Sequence, residues 1–228
     1  MAPQIVGHRG ASRDFPENTL DAFRAASAQF ADGVELDVRS TADGVLAVCH
    51  DPRLSDGRVI ADIDGASLPA SVPSLVDALR ASAPMLVNVE IKHGDDEPGY
   101  SADRRLADAV MAAIAAMVDA PPILVSSFDL VTIDRVRQID PEMPTGYLVV
   151  SSTEPDDAVA ACVRRGHGAI HPNDWFVDAS MIERAHAAGL AVNVWTVDDP
   201  DRIRALAEWG VDAIITNTPA LARAALGL

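Results

Sequence analysis

Residues 35–51 read ELDVRSTADGVLAVCHD, and the fold turns on how they are parsed. Two apolar runs, 33–38 (GVELDV) and 45–49 (VLAVC), look like strands. Only a short link carrying ADG, a turn signal, separates them. A parallel crossover needs a dozen or more residues, so the pair is an antiparallel hairpin and its second strand stands outside any parallel sheet. Over the whole chain the strand candidates are 4–7, 33–38, 45–49, 85–91, 123–126, 145–150, 168–171, 191–196 and 212–216. Removing 45–49 leaves eight, each followed by room for a helix. That is the pattern of an α/β (β/α)8 TIM barrel with an antiparallel hairpin after strand 2.

Helix signals fall where this parsing needs them. Leu20, Phe23, Ser27 and Phe30 mark a helical face opening after PENT (16–19), and Asp129 caps a helix running to about Ile139. Gly189 and Gly210 stop two more, and Thr218 caps a last one with Pro219 in its first turn. Residues 51–73, rich in Asp, Gly, Ser and Pro, read as a short insertion. Residues 1–228 therefore read as one barrel domain, at the size usual for that fold.

The charge balance is −16, from 18 basic and 34 acidic side chains. Such a chain repels nucleic acid and acidic membrane surfaces. It also repels an anionic small molecule, so a phosphate site here needs its own local positive charge. No apolar stretch reaches the ~20 residues that span a bilayer, so membrane insertion is not expected. The N-terminus carries no signal-peptide pattern, and the two cysteines, Cys49 and Cys162, lack metal-binding spacing. A reducing, cytoplasmic setting is the expectation.

In a barrel of this kind the site lies at the C-terminal ends of the strands. There the sequence places His8, Arg9 and Gly10; Glu35 and Asp37; Glu90 and Lys92; Ser126, Ser127 and Phe128; His171; Trp195 and Thr196; and Thr216 and Asn217. Side chains alternate along a strand, so Glu35 and Asp37 share a face, as do Glu90 and Lys92. Three carboxylates converging in one mouth repel each other unless a cation joins them. Oxygen-only ligands favour Mg²⁺, Ca²⁺ or Mn²⁺ over zinc. A turn centred on Ala42–Asp43 sets His50 opposite Glu35 and returns it to the mouth beside His8. Two histidines there suit acid and base roles near neutral pH. Arg9 and Lys92, the only lysine in the chain, supply the missing positive charge. A compact ammonium with three donors suits a crowded site in a way the planar Arg fork does not.

Blander readings attach to other residues. Glu17 and Asn18 are read equally as caps of the first helix or as site residues, and His171 as rim or structure. His93, His167 and His186 read as surface or helix residues, and Trp175 and Trp209 as packing. Cys49 reads as a small core residue facing away from His50, and Asp95, Asp96 and Glu97 as a solvated loop.

Taken in order, HRG (8–10), PENT (16–19), ELDV (35–38), DG (43–44), HD (50–51), EIK (90–92), SSF (126–128), VWTV (194–197) and IIT (214–216) resemble the glycerophosphodiester phosphodiesterases. The resemblance implies metal-dependent hydrolysis of glycerophosphodiesters to glycerol 3-phosphate and an alcohol, a reaction of glycerol and lipid metabolism. It implies His8 and His50 as general acid and base, in either assignment. Glu35, Asp37 and Glu90 would bind the metal, Arg9 and Lys92 the phosphate, and Phe128 and Trp195 would line the glycerol or alcohol pocket. The chain departs from the family pattern twice. The segment after HD is short, where many members carry a longer basic one, and Asn217 stands where many read ITD. Choline, ethanolamine, glycerol and inositol headgroups and lysophospholipids stay open as substrates.

Two other classes compete. An enolase-type proton abstraction needs a basic residue on other strands, whereas the single lysine lies beside Glu90 and the adjacent HRG favours phosphate. A binding barrel without turnover has no support in a motif that keeps both histidines, the three carboxylates and both cations.

Overall fold

The computed structural model describes residues 2–95, 98–150 and 154–228; Asp96 and Glu97 of the acidic loop lie outside them. Its strands are β1 (Gln4–Gly7), β2 (Gly33–Ser40), β3 (Leu46–Val48), β4 (Leu86–Ile91), β5 (Ile123–Ser127), β6 (Thr145–Val149), β7 (Ala169–Pro172), β8 (Ala191–Val194) and β9 (Ala213–Thr216). Its helices are α1 (Leu20–Ala28), α2 (Leu75–Ser82), α3 (Arg105–Ala115), α4 (Leu130–Ile139), α5 (Pro155–Arg165), α6 (Ala179–Ala187), α7 (Pro200–Glu208) and α8 (Pro219–Leu226). The sheet runs β1-β9-β8-β7-β6-β5-β4-β2, and β1 pairs with β2 to close it. These eight strands are parallel. The ninth, β3, is antiparallel to β2 and lies outside the barrel, as the sequence requires.

The apolar core lies mainly between barrel and helices. Val34, Leu36 and Val38 of β2 and Val87, Val89 and Ile91 of β4 pack under α1, α2 and α3. Ile170, Val192, Val194 and Ile214 do the same under α5 to α8. The alternate residues of the same strands point inward, and there the sequence is polar: Glu35, Asp37, Asn88, Glu90, Ser126, His171 and Asn193 are all buried. A period-2 pattern with charges on the inner face thus sets both the helix packing and the position of the site.

Helix starts follow the capping signals. Thr19 Oγ accepts from Ala22 N–H and Asp129 from Val131 N–H. Thr218 precedes α8 without a side-chain cap bond. Phe30, expected on the α1 face, lies beyond the end of α1 at φ 60° and is exposed.

One expectation fails by a single residue. The hairpin pairs Val38 with Val48 and Ser40 with Leu46, one residue off the register that sets His50 opposite Glu35; Cys49 N–H donates to Asp37 O, and Glu35 has no partner on β3. The turn is longer than the one assumed. Thr41 N–H donates to Val45 O, Thr41 Oγ accepts from Val45 N–H, and Gly44 adopts φ 86°, the left-handed position of a three-residue hairpin loop. The chain beyond β3 still carries His50 back to the barrel mouth. Three further expectations are corrected: His93 and His167 are buried, and Trp175 is 87 % exposed.

Candidate active site

Glu35 and Asp37 of β2 and Glu90 of β4 each offer an oxygen within 4.8 Å of the others. The strand register places Asp37 beside Glu90, and all three side chains are buried. Burial, then repulsion from Asp37 and Glu90, pushes the Glu35 carboxyl well above the usual carboxylate range. Glu90 is pushed up to about 7 by burial and by Asp37, against the pull of Lys92. Asp37 moves the other way. Burial opposes its ionisation, but Lys92 and Arg9 outweigh that and hold its pKa below the ordinary value. Glu35 Oε1 is buried and has no hydrogen-bond partner among the described residues. A buried oxygen left bare beside two more carboxylates fits a hard divalent cation.

The cations meet the cluster from two sides. Lys92 Nζ lies 3.0 Å from Asp37 Oδ1 and 2.5 Å from Glu90 Oε1. Arg9 Nε lies 3.4 Å from Asp37 Oδ2, while its Nη1 pairs with Glu17 at 2.9 Å. The Arg9 backbone stands at φ 55°, a conformation that costs a non-glycine residue about 1–3 kcal/mol. It is held by Arg9 N–H donating to Glu35 Oε2 at 2.9 Å and by Arg9 O accepting from Asn18 N–H at 3.0 Å. Gly10 follows at φ 84°, where a Cβ would meet the Ala22 backbone at 2.6 Å. HRG is therefore a turn in which only glycine fits the third position.

Asn18 and Glu17 both contact this group of side chains. Asn18 is buried, donates from Nδ2 to Asp37 Oδ2 at 2.7 Å and accepts Asp37 N–H at 3.3 Å; the N-cap of α1 is Thr19. Arg39 was not singled out from the sequence. Its guanidinium donates to the His50 carbonyl from Nε at 2.8 Å and from Nη2 at 2.6 Å, fixing the backbone that carries His50.

The histidines face the same space. His8 Nδ1 is 2.8 Å from Asn217 Oδ1, and its Nε2 is 4.0 Å from Glu35 Oε2. Burial, then the Arg9 charge, lowers its pKa. His50 Nδ1 is 2.8 Å from Asp51 Oδ1. Both rings line a cavity of about 110 Å³ with Arg9, Glu35, Glu90, Lys92, Phe128 and Trp195. All nine residues expected at the site are thus brought together, with Asp37 buried behind Lys92. Phe128 and Trp195 meet edge to face at 5.7 Å between centroids, and Lys92 Nζ lies 5.8 Å from the Phe128 ring centre. A larger cavity of about 460 Å³ shares Glu90, Lys92 and Phe128 with the first and extends to His93, Tyr100, Arg104 and Asp129. His171 stands apart, inside the barrel, with Nε2 2.9 Å from Asn193 Nδ2. Among the described residues no helix is long and apolar enough to cross a membrane.

The family model for the glycerophosphoryl diester phosphodiesterase family matches residues 8–221. A glycerophosphodiester phosphodiesterase of Caldanaerobacter subterraneus subsp. tengcongensis is 29 % identical over 96 % of each chain. A probable glycerophosphodiester phosphodiesterase 1 of Mycobacterium tuberculosis is 31 % identical over 97 % of this chain and 92 % of its own. Among solved structures, an Oleispira antarctica phosphodiesterase in complex with the product sn-glycerol-3-phosphate superposes with a TM-score of 0.90. It is 25 % identical and covers 100 % of this chain and 98 % of its own.

Proposed function

The chain belongs to the glycerophosphoryl diester phosphodiesterase family, and from that membership we propose that it hydrolyses glycerophosphodiesters to glycerol 3-phosphate and an alcohol. The observation that carries the reading is the convergence of three carboxylates, two cations and two histidines on one mouth of a −16 chain. Residues 1–228 act as one catalytic domain, and two free cysteines suit the cytoplasm.

Glu35, Asp37 and Glu90 are the metal ligands. An all-oxygen set suits Mg²⁺ or Ca²⁺, with Mn²⁺ as the third candidate. When bound, the cation supplies Lewis-acid stabilisation of charge on the phosphoryl oxygens. Arg9 and Lys92 hold the phosphate and oppose the charge that develops on it. Their pairing with Asp37, Glu17 and Glu90 fixes them before substrate arrives. One histidine takes the proton of the nucleophile and the other protonates the leaving oxygen; attack by water gives glycerol 3-phosphate directly, whereas attack by the neighbouring glycerol hydroxyl gives a cyclic phosphate that a second attack, by water, opens. Each ring is anchored through Nδ1, which leaves Nε2 of both His8 and His50 for the substrate. Phe128 and Trp195 line the organic part of the substrate. The larger cavity beyond Lys92 takes the alcohol.

The test is product identity on a panel of glycerophosphocholine, glycerophosphoethanolamine, glycerophosphoglycerol, glycerophosphoinositol and a lysophospholipid. Release of glycerol 3-phosphate, or of lysophosphatidate from the lysophospholipid, supports the reading and ranks the alcohols. Release of free glycerol with phosphocholine, phosphoethanolamine or inositol phosphate contradicts it.

A further inference from the structure

We propose that Asp198 and Asn217 are positioning residues that lock the His8 ring with its proton on Nδ1, so that Nε2 alone exchanges protons with the substrate. The proposal rests on the acid–base role given to His8 above.

The argument begins with strand neighbours. His8 N–H donates to Thr216 O at 2.8 Å across the β1–β9 pair, which brings residue 217 beside the imidazole. Asp198 follows β8 on the next strand. An ionised carboxylate only accepts, and this one accepts three times: from Thr216 Oγ at 2.8 Å, from Asn217 N–H at 2.8 Å and from Asn217 Nδ2 at 2.6 Å. The last contact settles which way the Asn217 amide points. Its nitrogen faces Asp198, so its oxygen faces the other way. There Oδ1 accepts from Ser12 Oγ at 2.9 Å and meets His8 Nδ1 at 2.8 Å.

A neutral imidazole carries its proton on one nitrogen and offers a lone pair on the other. Against an amide oxygen only the N–H side of the ring is satisfied, so the proton sits on Nδ1. Nε2 then points at the carboxylate cluster. Both roles open to His8 need this order. A base needs the Nε2 lone pair, and an acid needs an imidazolium whose Nδ1–H still has an acceptor. The pair is also matched: an aspartate at 217 would set two carboxylates against each other at the 2.6 Å contact. This gives the departure from ITD a physical reason.

The sharpest probe is Asp198→Asn. The new amide must keep its oxygen on the Thr216 and Asn217 donors, which turns its nitrogen against Asn217 Nδ2. Relief comes by rotating the Asn217 amide, which then presents N–H to His8 Nδ1 and drives the ring proton to Nε2. The double variant Asp198→Asn/Asn217→Asp restores a donor facing an acceptor, and with it an acceptor for His8.

Long-range ¹H–¹⁵N spectra of metal-free protein at a pH where the ring is neutral read the tautomer, with His8→Gln identifying the signals. Wild type is expected to show a protonated Nδ1 and bare Nε2, Asp198→Asn the reverse, and the double variant the wild-type pattern. In the same order, kcat is expected to fall about 10²-fold in Asp198→Asn with KM within about twofold, and to recover to within about tenfold in the double variant. A wild-type spectrum with the proton on Nε2 overturns the proposal without any variant. So does an unchanged tautomer or unchanged kcat in Asp198→Asn. Absence of turnover by wild type with every metal would count against the functional reading, while the spectra decide the lock independently.

Discussion

Lys92 Nζ stands 3.0 Å from Asp37 Oδ1 and 2.5 Å from Glu90 Oε1, so one ammonium spans two carboxylates on neighbouring strands. Asp37 and Glu90 are register partners, and Lys92 lies two residues beyond Glu90 at the open end of β4. A point charge with rotatable donors fits between these two carboxylates and leaves a donor for the proposed phosphate. The planar fork of arginine, used at every other strongly basic position of the chain, does not.

Lys92→Met is therefore expected to lower kcat/KM by about 10²–10³, the usual loss when a preorganised donor to the transition state is removed. Lys92→Arg is expected to recover no more than about tenfold of that loss, about 1.4 kcal/mol. Steady-state assay of both variants checks it; a wild-type rate in Lys92→Arg would remove the geometric argument.

Metal binding should release protons. The Glu35 and Glu90 carboxyls are both raised, Glu90 to about 7 from an ordinary 4.5, by burial first and by their acidic neighbours next. In that window the metal-free site holds protons that a cation must displace, so affinity falls as pH drops from about 7 toward 4.5. Calorimetric metal titration in buffers of different ionisation enthalpy measures the release. Binding that takes up no proton into buffer at neutral pH would contradict the assignment.

Burial of the His171 ring is expected to make stability fall in acid. Burial lowers its pKa to about 3 from an ordinary 6.5, so between these values the unfolded chain binds a proton that the folded protein does not. The stability gained by burying a neutral ring is full above 6.5 and is lost as pH falls, at up to about 1.4 kcal/mol per pH unit. Urea midpoints between pH 6.5 and pH 4.5 are expected to fall more steeply for wild type than for His171→Gln. Equal slopes would show that this ring does not set the dependence.

Asn18→Ala removes the buried donor to Asp37 Oδ2 and the acceptor of its N–H. The expected cost is about 1–3 kcal/mol of stability, from unpaired buried polar groups. Activity should fall as well, because the same contacts hold a proposed metal ligand. Thermal unfolding and kcat report the two effects separately, and an unchanged melting temperature would count against the role.

The barrel and the carboxylate cluster were legible because both follow from local periodicity. Alternation put Glu35, Asp37, Glu90 and Lys92 on the inner face, and the short ADG link excluded a ninth parallel strand. The hairpin register was missed by one residue because Thr41 Oγ and the left-handed Gly44 build a longer loop than the two-residue turn assumed. The supports of the site were harder to see. Asn18 reaches Asp37 from a loop, Arg39 reaches the His50 carbonyl from the hairpin, and Asp198 reaches Asn217 from the adjacent strand end. Such contacts arise only when the barrel closes, and no spacing along the chain encodes them. The reading of His93 and His167 as surface or helix residues fails for the same reason: both are buried and hydrogen-bonded to Thr132 and Thr145, which come from other elements.

The most direct test of the central claim is glycerol 3-phosphate release by metal-stripped protein, before and after adding back Mg²⁺, Ca²⁺ or Mn²⁺, with His8→Ala alongside. No release without metal, release restored by at least one cation, and none from folded His8→Ala is the predicted result. Release that persists in the stripped protein, or is undiminished in His8→Ala, would contradict it.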